Sequence, residues 1–476
     1  MQTQPAPVEK RRLSLRAWAR GHSRLLEGAY RVFLRLLPAA RPVVAVLRLV
    51  GLTGLVTVLE RGVKGLVFDC RMCGSCVLHA TGMACPMTCP KNLRNGPCGG
   101  VGPGGRCEVD PALECVWLGA WQGAQKMRGG SLIGRIQEPL DHRHGGRSTW
   151  LATLNGTHPP DPAPPPAAGA PAAPAGRLPQ KLRSGEFCVT AEFNPPDTAL
   201  PEAILAKAKV LSEVCDAVNV TDGAGGNTHI SSVAVCALLA RAGVEAVMQI
   251  SCRDRNRIAI QGEALGAAAL GIRNILCLTG DGIGKGDQPQ AKPVFDLDAT
   301  SLLATLRGMR EEGRFRSGRK IAAAPDFFLG ATSNPFAVPA EVELNRLEKK
   351  IAAGALFIQT QFCFDPAALK SFVQRMRERG LLERCWYLVG LGPLASARSA
   401  RWMKRRIPGL RIPDSLISRM DGARDPMEEG IAVSVEAVQQ LREIEGVAGV
   451  HIMAFRRPEM VPEILSRAGL SRPKPA

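Results

Sequence analysis

Residues 216–251 read DAVNVTDGAGGNTHISSVAVCALLARAGVEAVMQIS. Two short runs rich in valine, DAVNVTD and EAVMQIS, bracket an amphipathic stretch, NTHISSVAVCALLARAG, that closes on Gly243. The runs are too short for helices and nearly unbroken in their apolar character, so they read as strands buried on both faces. The middle stretch has helical spacing and ends with glycine at a C-cap position. Strand, helix, strand in this order is the unit of a parallel α/β sheet.

The same rhythm extends over residues 186–470. The strand candidates are EFCVTAEF, DAVNVTD, EAVMQIS, NILCLTGD, KIAAAPDF, ALFIQTQF, CWYLVGL and GVHIMAF. Further helices, such as EVELNRLEKKIAAGA, end near Gly271, Gly354 and Gly380. Eight strands in a βα alternation predict an α/β fold, a (β/α)8 TIM barrel. A doubly wound open sheet is the alternative, but no GxGxxG follows the first strand, which argues against a Rossmann dinucleotide site.

In front of the barrel, residues 158–180 read HPPDPAPPPAAGAPAAPAGRLPQ, a composition that cannot build a core and behaves as a stiff spacer. The expected organisation is a basic amphipathic helical segment over 1–69, a cysteine-rich module over 70–156 whose part after residue 115 reads as a loose trailer, a linker over 157–180 and the barrel over 181–476. The first segment carries 12 Lys and Arg against 4 Asp and Glu, with Leu, Trp, Tyr and Phe at helical spacings between the arginines. It reads either as a helix docking on an anionic membrane or partner, or as one packed on its own protein. The net charge of +18 is not gathered into a Lys/Arg run with interleaved aromatics, so nucleic acid is not an expected partner. No secretory signal is evident, and the apolar stretch from Pro42 to Leu59 is interrupted by Arg48, short of a clean membrane span. A cytoplasmic location is expected, and there clustered cysteines mean metal ligands rather than disulfides.

A TIM barrel does its chemistry where its strands end. The ends offer Glu192, then Thr221 and Asp222, Gln249 and Ser251, Thr279 and Asp281, Asp326, and Thr360 and Gln361. Polar side chains inside apolar strands must be hydrogen-bonded or functional, since unpaired burial costs about 1–3 kcal/mol each. Glu192, in AEFNPPD, is the sharpest of them. Desolvation at a barrel mouth would raise its pKa and make it a usable general acid; the plainer reading is a helix-capping Glu. Asp281, in LTGDG, has the plainer reading of an Asp-Gly turn.

At these residues the barrel half resembles the methylenetetrahydrofolate reductase family. The matching stretches are VTAEFNPP, VNVTDGAGG, QISCRDRN, LCLTGD, EVELNRLEKKIAAGA, IQTQFCFD and RIPDSLISRMDG, in family order over nearly all of 186–460. The resemblance implies a barrel holding a flavin, FAD with FMN as the alternative, that reduces 5,10-methylenetetrahydrofolate to 5-methyltetrahydrofolate. It implies that Glu192 is the general acid, that Asp281 lies beside the flavin pyrimidine, and that Gln361 contacts the pterin. Thr221, Gln249, Thr279, Glu343, Arg346 and Lys350 match positions lining the flavin, with Lys350 at a phosphate and Glu343 near the ribose. Gln249 stands where a His is expected, and Thr279 where an Arg precedes the Asp. Ala397 stands where members that use a nicotinamide carry a stacking Phe, with Phe364 and Trp402 as nearby substitutes.

The remaining motif is Cys70-x2-Cys73-x2-Cys76-x8-Cys85-x3-Cys89-x8-Cys98-x8-Cys107-x7-Cys115. Eight thiols at such spacings suit iron–sulfur clusters or zinc. His79 lies among them and reads as a non-ligating residue. The stretch resembles the small partner domain of bacterial methylenetetrahydrofolate reductases. Together with Ala397, the module suggests an electron route through itself or a carrier protein docked on it, with NADH or NADPH as the alternative donor. The seven other cysteines read as small buried apolar side chains. A folate substrate and an oligomeric state are expected. A pterin-binding methyltransferase barrel, a purely structural front module, and physiological oxidation of methyltetrahydrofolate are the competing readings.

Overall fold

The computed structural model describes residues 15–157, 174–407, 409–455 and 457–470. They form two compact units, one of 15–98 with 105–157, the other of 174–470 with 99–104. Most of the proline-rich linker and the first 14 residues of the basic segment lie outside the described residues.

The first unit contains α1 (Ser23–Leu36), α2 (Arg41–Leu49), α3 (Gly54–Phe68), α4 (Val116–Ala124) and α5 (Thr149–Leu154). The basic helices and the stretch after the cysteines are tied together by buried polar contacts. Glu27 accepts the backbone N–H groups of Arg128 and Gly129, both at 2.8 Å. Ser23 donates to the Gly123 carbonyl at 2.8 Å. Glu60 and Lys64 form a buried ion pair at 2.6 Å, and Ser148 and Thr149 also donate to Glu60. Removing one member of such a pair would cost about 3–5 kcal/mol, because the other charge is left buried. Residues 116–154 are thus no loose trailer: they supply the groups that hold α1 and α3.

The second unit is a closed eight-stranded parallel barrel in sequential order, with β1 hydrogen-bonded to both β2 and β8. The strands are β1 (Cys188–Phe193), β2 (Ala217–Val220), β3 (Ala246–Ser251), β4 (Asn274–Leu278), β5 (Phe328–Ser333), β6 (Phe357–Phe362), β7 (Trp386–Leu391) and β8 (Val447–Ile452). Short α6 (Arg177–Arg183) precedes β1. It places Leu178 and Leu182 against Cys188, Ala217, Val247, Leu276 and Phe357, sealing the end of the barrel where the strands begin. The connecting helices are α7 (Pro201–Ser212), α8 (Ser232–Arg241), α9 (Arg257–Ala269), α10 (Ala299–Glu311), α11 (Ala340–Ala352) and α12 (Pro366–Glu378). Three helices, α13 (Ala397–Arg406), α14 (Asp414–Asp421) and α15 (Pro426–Arg442), separate β7 from β8, and α16 (Met460–Arg467) follows. Gly243, Gly271, Gly354 and Gly380 all have positive φ, as the C-cap reading requires.

One strand lies elsewhere than expected. KIAAAPDF, residues 320–327, is loop, and β5 is the next run, FLGATS. Pro325 has no N–H to give a central ladder, whereas 328–333 has a donor at every position. Asp326 therefore precedes β5 and sits at the closed end, where it accepts the Ala175 N–H at 3.2 Å. It is not part of the mouth; Ser333 and Asn334 take that place.

Candidate active site

Side chains inside the barrel are stacked in layers, because residues two apart on a strand share a face. Above the apolar floor lies a buried polar layer of Thr190, Asn219, Gln359 and His451 from β1, β2, β6 and β8. Asn219 and Gln359 bond across the barrel at 2.6 Å, Gln359 donates to Thr190 at 3.0 Å, and Thr190 lies 2.9 Å from Nδ1 of His451. Burial holds the His451 imidazole down to about 3, so the layer is neutral. Sequence reading passed over these four residues. For Thr190, Asn219 and Gln359 the signal was present, as polar residues two positions before Glu192, Thr221 and Gln361 on the same face.

The next layer is the mouth. Glu192, near the end of β1, has the side-chain amides of Asn194 and Gln249 beside it, and they favour its charged form. Burial drives its carboxyl up to about 7; those two amides pull it back, and the Asp281 carboxylate adds to the rise. Thr221 is buried and donates to Asn194 Oδ1 at 3.2 Å. Glu192, Thr221, Gln249 and Asp281 are therefore brought together, with Asn194 as the link that sequence reading missed. Asp281 is exposed and accepts the Gly225 N–H at 3.1 Å. Its position depends on Gly280, which has φ +92° and where a Cβ would fall 2.6 Å from Ser251 Oγ. Only glycine fits there.

Other members of the predicted ring have hydrogen-bond partners within the barrel unit. Asp222 accepts the Ser251 N–H at 2.8 Å and is bridged by both terminal nitrogens of Arg255, at 2.8 and 3.0 Å. Thr279 accepts the Ala299 N–H at 3.2 Å, fixing the start of α10. Thr360 donates to the Gln361 carbonyl and accepts from Gly390 N–H. Gln361 is half-buried at the end of β6, one layer above Gln359, and accepts the Phe362 N–H at 3.0 Å through Oε1.

Glu343, Arg346 and Lys350 form a second group on α11 against the end of β5. Buried Glu343 accepts from Ser333 Oγ at 2.9 Å and Asn334 N–H at 2.8 Å, and pairs with Arg346 at 2.8 Å. Lys350 donates to the Thr332 carbonyl at 2.5 Å. Burial, and then neighbouring Arg346, lower its ammonium to about 7. Buried Lys349 beside it is lowered by burial to about 8. A buried ammonium held this low gains from an anion, which suits a phosphate-bearing ligand.

A sequence model of the family described as methylenetetrahydrofolate reductase matches residues 177–469, from the start of α6 to just past α16. The chain belongs to the methylenetetrahydrofolate reductase family. A second model, described as methylene-tetrahydrofolate reductase C terminal, matches residues 51–143, from α3 through the cysteines. The 5,10-methylenetetrahydrofolate reductase of Pectobacterium carotovorum subsp. carotovorum is 27% identical over 283 residues, 58% of this chain and 88% of that protein. The protein of the same name from Escherichia coli (strain K12) is 26% identical with the same coverage. Methylenetetrahydrofolate reductase 2 of Schizosaccharomyces pombe is 25% identical over 304 residues, and the match spans 46% of its length. Family membership thus rests on the barrel, the unit that carries the Glu192 cluster.

The eight cysteines of the first unit are free thiols. Among the described residues no group of three or more His, Cys, Asp or Glu side chains is drawn together in metal-holding geometry. The thiols nevertheless divide in two. Cys70, Cys73, Cys76 and Cys85 line one small pocket with Lys64 and Met72. Burial, with a smaller part from neighbouring Cys115 and Cys107, pushes the Cys89 thiol up to about 11, and Cys98 donates to Glu108 at 3.4 Å. Half-buried His79, on a short turn, does not line the pocket. The seven other cysteines are all buried in the barrel unit, as expected. Ala397 opens α13 and is buried in one cluster with Phe362 and Phe364, whose rings stack at 5.8 Å, while Trp402 is exposed.

Proposed function

We propose that this chain interconverts 5,10-methylenetetrahydrofolate and 5-methyltetrahydrofolate at the barrel mouth with a bound flavin, FAD or FMN. The observation that carries the reading is Glu192: a half-buried carboxyl at the mouth, raised to about 7 by desolvation and set beside a second carboxylate. Such a group holds a proton near neutral pH and can deliver it. In the reducing direction Glu192 protonates the substrate as its five-membered ring opens. Gln361 orients the pterin, and the Asp281 carboxylate favours positive charge on the opened substrate. Thr221, Gln249, Thr279, Glu343, Arg346 and Lys350 would hold the flavin, with Lys350 supplying the buried cation for its phosphate. Bound there, the flavin supplies the hydride. The cysteine unit would hold iron–sulfur clusters or zinc in two four-thiolate sets, Cys70, Cys73, Cys76 and Cys85, and Cys89, Cys98, Cys107 and Cys115. Ala397 in place of a stacking ring favours electron exchange through this unit, or a carrier protein docked on it, over direct use of NADH or NADPH. A cytoplasmic location and an oligomeric state fit this role.

The test is Glu192→Gln. It should keep the flavin while folate turnover falls by at least about a hundredfold, the scale of general acid catalysis. Near-normal turnover would remove Glu192 from the chemistry.

A further inference from the structure

Helix α3 is built inside out. Leu55, Val58, Leu59, Val63 and Leu66 recur at helical spacing along one face and are 46–64% exposed. The opposite face buries Glu60 and Lys64, at 1% and 3% exposure. A helix on a water-facing surface does the reverse. The arrangement makes physical sense only if the outer face is also withdrawn from water.

The neighbouring helices also expose apolar side chains. Leu25, Val32 and Leu36 form an exposed stripe on α1, and Leu49, at the end of α2, is 87% exposed. From residue 24 to residue 66 every exposed side chain belongs to Arg, Leu, Val, Ala, Gly or Pro. The exposed charges are Arg24, Arg31, Arg35, Arg41, Arg48 and Arg61. The acids of the described segment, Glu27, Glu60 and Asp69, are all buried and held by internal partners. Residues 24–66 therefore offer apolar area and positive charge, with no exposed carboxylate, amide or hydroxyl of their own. Exposed apolar side chains in this number on three successive helices mark an interaction site.

We propose that α1, α2 and α3 lie on an anionic phospholipid bilayer, with the leucine and valine stripes in the acyl boundary and the arginines at the lipid phosphates. Charge selects this occupant over a second copy of the chain, which would bring the same arginines face to face. Composition selects it over an acidic protein: a protein interface needs a polar rim of hydrogen bonds to set its register, whereas a fluid lipid surface needs only apolar depth and phosphate contacts. Among the described residues no helix is long and apolar enough to cross a membrane, so the contact is one of lying on the surface.

The experiment is sedimentation of the full chain with vesicles of phosphatidylcholine alone and of phosphatidylcholine mixed with phosphatidylglycerol. Binding is expected to the mixed vesicles, weakening as salt rises, with little to the neutral ones. The double variants Leu59→Gln with Leu66→Gln, and Arg35→Glu with Arg41→Glu, alter exposed residues and should fold, as checked by circular dichroism. Each should lower the partition coefficient by about tenfold or more. Absence of wild-type binding to the anionic vesicles overturns the proposal, as does binding that both double variants leave unchanged. Light scattering without lipid supplies the remaining outcome: a dimer that fails to bind vesicles and is split by the leucine variant places a second copy on the face, and the lipid assignment falls.

Discussion

The charge of Asp281 acts on Glu192, and that influence can be read from pH. Burial raises Glu192 to about 7, and Asp281 adds to the rise. The acid form is therefore populated below about pH 7 and lost above it, so the folate half-reaction in the reducing direction should slow as pH rises through that value. Asp281→Asn removes one of the two influences that raise Glu192, so the falling limb should move to lower pH. The same change should raise the flavin reduction potential, since an anion near the ring opposes its reduction. Rapid-mixing rates across pH and a redox titration check both; a limb that stays in place would mean that Glu192 does not report on Asp281. Both residues were legible as strand-end carboxylates. Asn194 was not, because its role depends on reaching two strands at once, to Glu192 on β1 and Thr221 just past the end of β2.

Among the elements, the polar layer beneath the mouth is the least expected feature. Gln359 bonds to both Asn219 and Thr190 inside the barrel. Gln359→Leu would leave these buried groups short of partners and should cost about 1–3 kcal/mol in urea unfolding; an unchanged midpoint would show that the layer adds no stability. Seven of the eight strands were legible because each is a short apolar run fixed by its own composition. The fifth was displaced by one run, since the alanines before Pro325 have an apolar pattern as good as that of β5, and only the ladder's need for donors separates them. The cross-barrel pairs were hidden for a different reason. Asn219 and Gln359 are 140 positions apart in the chain, and closure of the sheet brings them together.

On the scale of the molecule, two compact units sit on one chain, and the eight clustered cysteines belong to the first of them. The basic segment was legible as amphipathic, but not which way it faced: the sequence pattern cannot say that Glu60 and Lys64 turn inward. The division of the thiols makes a prediction of its own. Cys70→Ser with Cys85→Ser should remove one metal complement and spare the other, as read by metal analysis and absorption, whereas loss of all metal, or of none, would contradict two independent sets. The central claim, that a flavin in the barrel exchanges electrons with folate, is tested most directly by anaerobic mixing. The protein is purified without oxygen, its flavin is reduced with a low-potential donor, and 5,10-methylenetetrahydrofolate is added. The predicted result is reoxidation of the flavin with stoichiometric 5-methyltetrahydrofolate, abolished in Glu192→Gln. A chain that holds no flavin under any reconstitution, or a reduced flavin that the folate leaves unchanged, would contradict it.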